Sequence, residues 1–328
     1  MRLRGRIAGL IAGAAMIGGV VACAPTVAAQ PPAGLRPAAT APAGTSVPAP
    51  PSPSRPAARP SERPAIRVTG APGGVKARGA VLADAATGQV LWDRDVNTQR
   101  PMASVTKVMT ALLVLKGGDL GRKIRVPKAA VTYAWKYGGE TAALRPRDVL
   151  TARELLEALL LPSGADAAYT LANAYGPGLD AFLARMNATA AQLGMTHTHF
   201  TSPDGLPYPT ETSTYSTPAD LLTLGLAAMR YPAFRSIVDR SFYHLAKGRG
   251  HHGYWWDNTN ELIGSYRGAA GIKDGYTDKA GHCLLFEASR NGRVLIGVVL
   301  HSPATGLAAG VQDAARMLNW GFRLPRSG

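Results

Sequence analysis

The chain has 328 residues, with 36 Lys plus Arg against 21 Asp plus Glu, a formal net charge of +15 and two cysteines. One of these, Cys23, lies in a leader-like segment, so a disulfide framework is excluded, and no Cys/His spacing marks a zinc site. A basic chain can meet nucleic acid or an anionic surface, and charge alone says nothing about fold.

Along the chain, residues 1–29 have the three parts of an export leader. Arg2, Arg4 and Arg6 open it, an uncharged apolar run follows from Ile7 to Ala22, and Val27-Ala28-Ala29 offers a small-residue cut. A membrane-spanning anchor is the competing reading, but the run is short of the roughly 20 residues a span needs. Val20-Val21-Ala22-Cys23 also resembles a lipoprotein box, which would end the leader at residue 22 and lipidate Cys23. Both routes export the chain to the cell envelope or the extracellular space. In that setting the basic surplus suits an anionic wall or membrane surface, and no nucleic-acid partner is expected. Residues 30–73 are dominated by Pro and Ala with hardly a large apolar side chain, so they read as an extended linker.

Residues 74–324 are long enough for one large domain. Val81 to Ala85 and Gln89 to Asp93 flank a turn at Ala86-Thr87-Gly88 and predict a hairpin. Val105 to Leu115 predicts a helix closed by Gly117-Gly118. Thr151 with Glu154 is a capping-box pattern ahead of an apolar run to Leu161, and Pro162 stops that helix. A helix after Ser163 is ended by Gly176-Pro177-Gly178; Leu179 to Leu193 and Ala219 to Met229 are two more. Gly271 to Thr277 predicts a strand, His282 to Arg290 and Arg293 to Leu300 form a hairpin about Asn291-Gly292, and Gln312 to Trp320 is a last helix. Strands at both ends with helices between predict an α/β (α+β) fold, an antiparallel sheet flanked by helices plus a helical subdomain.

Three segments carry candidate chemistry. In Ser104-Val105-Thr106-Lys107 a hydroxyl and an amine lie one helical turn apart, so the amine can take the proton of a nucleophilic Ser. The pattern is common by chance, and an N-cap Ser with a solvated Lys is its plainer meaning. Lys107, however, is surrounded by Val105, Val108, Met109, Leu112 and Leu113, and a Lys in so apolar a helix needs a partner, ordinarily a salt bridge. Ser163 sits in a turn between two helices, where helix capping is the alternative. Lys273 lies in a strand with Gly271 and Gly275 on either side; glycines there admit close approach, whereas an edge-strand Lys also discourages aggregation.

Together these segments resemble the active-site set of the penicillin-recognising serine acyl enzymes, in their D-alanyl-D-alanine carboxypeptidase branch. The likeness extends through Ala85 to Leu91, Pro101 to Leu112, Asp204-Gly205-Leu206, Ser216 to Leu221, Trp256 to Asn260 and Thr277 to Gly281. It implies a β-lactamase/transpeptidase-like fold with a sheet of about five strands. It implies that Ser104 attacks the bond between two D-alanines of a peptidoglycan stem peptide, with Lys107 as base and Ser163 relaying a proton. Lys273, Asp274, Gly275, Tyr276 and Thr277 would bind substrate, the backbone N–H groups of Ser104 and Tyr276 forming the oxyanion hole. No metal or organic cofactor is needed, and β-lactams would acylate the same Ser.

Two positions depart from the family pattern. Ala165 stands where Asn is usual and Asp274 where Thr is usual in Lys-Thr-Gly. An ionised Asp274 would repel a substrate carboxylate unless it pairs with Lys273 or stays protonated. Weakened carboxypeptidase activity and slow β-lactam acylation are the expectation. A wall-binding or sensing protein with little turnover is the alternative, and a β-lactamase using Glu211 a remoter one. Tyr254-Trp255-Trp256 reads as core packing ahead of a stacking surface, and His251 and His252 as solvated.

Overall fold

A computed structural model describes residues 70–303 and 308–325, all of which fall in one compact unit. The leader, the lipidation candidate Cys23 and the linker up to residue 69 lie outside the described residues.

The main sheet is built from β1 (Gly79–Asp84), β2 (Val90–Arg94), β3 (Ala269–Thr277), β4 (Gly281–Arg290) and β5 (Arg293–Ser302). Its order is β2-β1-β5-β4-β3, antiparallel throughout. The period-2 alternation of a strand sorts its side chains to two faces. Val81, Ala83, Leu285, Ile296, Val298 and Leu300 enter one buried core; Ala80, Leu82, Leu284, Phe286, Leu295 and Val299 enter another. Both faces being covered, β5 reads as an unbroken apolar run, as a central strand should.

The larger core holds the helices. A 3₁₀ turn, Ala103–Thr106, leads into α1 (Lys107–Gly117), whose residues 107 to 115 are all buried. A helix apolar on every side has to be internal, and α1 runs between the sheet side and the helical subdomain. That subdomain contains α2 (Lys128–Lys136), α3 (Ala152–Leu160), α4 (Ala165–Tyr175) and α5 (Leu179–Gln192). Thr151 and Glu154 close the predicted capping box on α3. The helices α6 (Pro218–Ala228) and α7 (Pro232–Val238) follow, and α8 (Ala309–Gly321) covers the second face of the sheet.

The predicted hairpins and helices are present. Among the elements that went unseen, α2 buries only Ala130 and Ala134, too small a stripe to register as periodic, and α7 spans only seven residues. A two-stranded ribbon, Phe242–Leu245 against Tyr254–Asp257, was also missed, its apolar alternation being split by the basic loop between. Its aromatics divide: Tyr254 and Trp256 are buried, whereas Trp255 is 57% exposed and stacked on Phe242. His252, expected to be merely solvated, pairs with Asp148 at 3.0 Å and helps hold this loop in place. Cys283 is buried and free. No helix of the described residues is long and apolar enough to cross a membrane.

Candidate active site

Ser104 lies in the 3₁₀ turn at the head of α1, and Lys107 is the first residue of the helix proper. The three-residue spacing on a helical path brings Lys107 Nζ to 2.8 Å from Ser104 Oγ. A second contact, 3.0 Å to the Asp204 carbonyl oxygen, fixes the amine from the other side. Lys107 is 1% exposed, and its partners are a hydroxyl and a carbonyl rather than the salt bridge that is usual for a buried Lys. Burial pulls the amine down from 10.5 to about 8. The Lys273 charge acts in the same direction, against Asp204, Asp274 and Glu140.

The loop that supplies the Asp204 carbonyl is clamped to α1. Thr110 Oγ1 donates to the Pro203 carbonyl at 2.5 Å, and Asp204 Oδ1 accepts from Leu206 N and from the Tyr133 hydroxyl at 3.3 Å. Gly205 is required here: its φ is +84°, and a Cβ would fall 1.9 Å from the Ala103 carbonyl oxygen, beside the Ser104 turn.

Ser163 occupies the turn between α3 and α4 with φ +63° and is 4% exposed. Among the described residues no hydrogen bond joins its hydroxyl to Ser104 or Lys107. The turn is tied to the third segment through Thr259, whose N–H donates to the Leu161 carbonyl at 3.0 Å, with its hydroxyl oxygen 3.2 Å from the same carbonyl. The same hydroxyl reaches Asp274 Oδ1 at 2.8 Å.

Lys273, 1% exposed, donates to that Asp274 oxygen at 2.6 Å. Burial works against the Asp274 charge, but the Lys273 ammonium and the hydrogen bonds from Lys273 and Thr259 prevail and hold its carboxyl below the usual range. Asp274 is therefore ionised and paired with its neighbour. Next along β3, Gly275 lets the strand lie against the nucleophile: a Cβ there would be 2.7 Å from Ser104 N. Tyr276 is 48% exposed, its ring 4.8 Å from that of His282. Thr277 turns away into the β3–β4 turn, where its hydroxyl accepts from Ala280 N.

Ala165 is fully buried, and the Gly139–Glu140 loop closes over it: Ala165 N donates to the Glu140 carbonyl at 2.7 Å. Asp166 faces this loop, its carboxylate accepting from Thr141 Oγ1, Ala142 N and Leu144 N. It is a clasp and does not replace the missing amide.

Ser104, Lys107, Lys273, Asp274 and Gly275 thus converge, and the Leu161 carbonyl, two residues before Ser163, is tied to them through Thr259. A cleft of about 530 Å³ opens beside them, lined in part by Glu140, Thr259, Asp274 and Tyr276. Glu140 was missed, because a Glu after Gly138-Gly139 looks like any loop acid; only the fold brings it towards Lys107. Thr259 lay within a recognised segment without a role.

Comparison with known proteins points to one family. The D-alanyl-D-alanine carboxypeptidase family, peptidase S11, matches residues 66–304. A D-alanyl-D-alanine carboxypeptidase of Streptomyces sp. strain K15 is 38% identical over 263 residues, covering 76% of this chain and 88% of the relative. The D-alanyl-D-alanine carboxypeptidase DacB2 of Mycobacterium tuberculosis is 38% identical over 245 residues, 74% of this chain and 81% of its own. The crystal structure of the Streptomyces K15 DD-transpeptidase superposes with a TM-score of 0.71 at 37% identity, over 76% of this chain and 98% of that one. The fold is the β-lactamase/transpeptidase-like one, and the chain belongs to the D-alanyl-D-alanine carboxypeptidase family of serine peptidases.

Proposed function

We propose that the chain removes the terminal D-alanine from peptidoglycan stem peptides through an acyl-enzyme on Ser104. The observation that carries this is the 2.8 Å contact between Ser104 Oγ and a buried Lys107 amine lowered to about 8. In its neutral form the amine keeps two N–H donors and gains a lone pair. One donor stays on the Asp204 carbonyl, and the lone pair accepts the Ser104 proton as Oγ attacks the scissile carbonyl carbon. Near pH 7 roughly a tenth of the amine is neutral, enough for a working base.

The tetrahedral oxyanion is held by the backbone N–H groups of Ser104 and Tyr276, brought together by the approach of Gly275 to Ser104 N. The C–N bond breaks and the departing D-alanine takes a proton, with Ser163 as the relay. Water then attacks the ester and releases the shortened peptide, with Lys107 again taking the proton. β-Lactams acylate the same hydroxyl. The enzyme works outside the cytoplasm, exported by the leader at residues 1–29 or anchored through a lipid on Cys23. The intact hydroxyl–amine pair does not favour the non-catalytic alternative.

Mass spectrometry after incubation with penicillin tests this reading. A single adduct mapped to Ser104 and lost in Ser104→Ala is expected; no adduct at high dose sinks it.

A further inference from the structure

We propose that Asp274 sets what stands beyond the scissile bond: the cleft does not select for a free C-terminal carboxylate and accepts peptides continued or blocked there, for example as an amide. This rests on the serine-peptidase reading above.

An enzyme strict for a chain end must meet the carboxylate of the leaving residue with a cation or a set of hydroxyl donors. Those groups are committed elsewhere in this cleft. Lys273 gives its charge to Asp274 at 2.6 Å. The Thr259 hydroxyl, the neighbouring donor, is directed to the same Asp274 oxygen at 2.8 Å. Lys107 faces Ser104 and Asp204. Among the described residues, the other acidic residues lining the cleft, Glu140 and Glu261, add negative charge, and His282, the one further lining residue able to carry positive charge, has its ring set against Tyr276. The Asp274 side chain keeps 32% exposure and belongs to the cleft wall, so an incoming carboxylate meets this anion before the Lys273 behind it. An amide or a further residue brings no charge and meets no such repulsion.

The test uses the purified full chain and two synthetic peptides ending in D-Ala-D-Ala, identical except that one carries a free carboxylate and the other a C-terminal amide. The wild type should cleave the amide at least as well as the acid, judged by kcat/KM. Asp274→Asn keeps the size of the side chain and releases the charge of Lys273; it should move the acid-to-amide ratio upward by about tenfold, the scale of one unit charge across a solvated cleft. Both rates come from one preparation, so a loss of folded protein cancels. A wild type that prefers the acid, or a ratio that Asp274→Asn leaves in place, overturns the proposal. Cleavage of both peptides that survives Ser104→Ala would sink the serine-peptidase reading, and this proposal with it.

Discussion

Keeping an amine inside α1 should cost the protein stability, and Lys107→Met measures the cost. Lys107 is 1% exposed and titrates at about 8 instead of 10.5. The difference, 10.5 − 8 = 2.5 units, corresponds to about 3 kcal/mol. The charged form is the disfavoured one, so the folded chain releases its proton before the unfolded chain does. The penalty is therefore present in full below about 8, shrinks as pH rises from there, and is gone above 10.5, where the amine is neutral in both states. Met fills similar space without charge, but leaves the buried Asp204 carbonyl without that donor, which returns about 1 kcal/mol. The net expectation is a variant about 2 kcal/mol more stable at pH 7, or about 4–8 °C in Tm for a domain of this size. At pH 10.5 the sign should reverse, with wild type the more stable by about 1 kcal/mol. Parallel thermal melts of both proteins across this range give the comparison; the other titratable groups are common to both. A Lys107→Met protein no more stable than wild type at pH 7, or a gap indifferent to pH, would refute the idea that burial lowers the amine from 10.5 to about 8.

Three further outcomes are expected. The rate of β-lactam acylation should climb about tenfold per pH unit up to about 8 and then level off, following neutral Lys107; a flat profile between pH 6 and 9 counts against Lys107 as base. Gly275→Ala should cost about 1–3 kcal/mol in a thermal melt and slow acylation of the remaining folded protein by about a hundredfold, because its Cβ displaces β3 from Ser104 N, 2.7 Å away; unchanged acylation would show that this contact does not shape the site. Ala165→Asn should cost about 1–3 kcal/mol in a urea melt without speeding acylation, since the Gly139–Glu140 loop already fills the space; a faster variant would mean that the amide is readily accommodated.

Much of the fold is legible in local pattern. The Thr151/Glu154 box, the Asn291-Gly292 turn and the apolar length of α1 each act within a few residues, so spacing alone locates them. The ribbon from Phe242 to Asp257 is not legible in this way, because its strands are short and its loop is secured by Asp148, about a hundred residues earlier in the chain. The same division runs through the site. Ser104 and Lys107 meet by helix geometry, whereas Glu140 and Asp204 reach Lys107 only through tertiary packing.

By itself, the sequence determined that a hydroxyl and an amine share one turn of an apolar helix, that a Lys sits between glycines in a strand, and that Asp274 and Ala165 break an otherwise familiar pattern. Tertiary structure alone decided that burial brings the Lys107 amine down to about 8, that Asp274 is turned onto Lys273 and Thr259, and that β3 lies against Ser104. The physical reason is range. Spacing along a helix or strand fixes neighbours within one turn, but desolvation and the partner of a charge depend on whichever distant segments cover it.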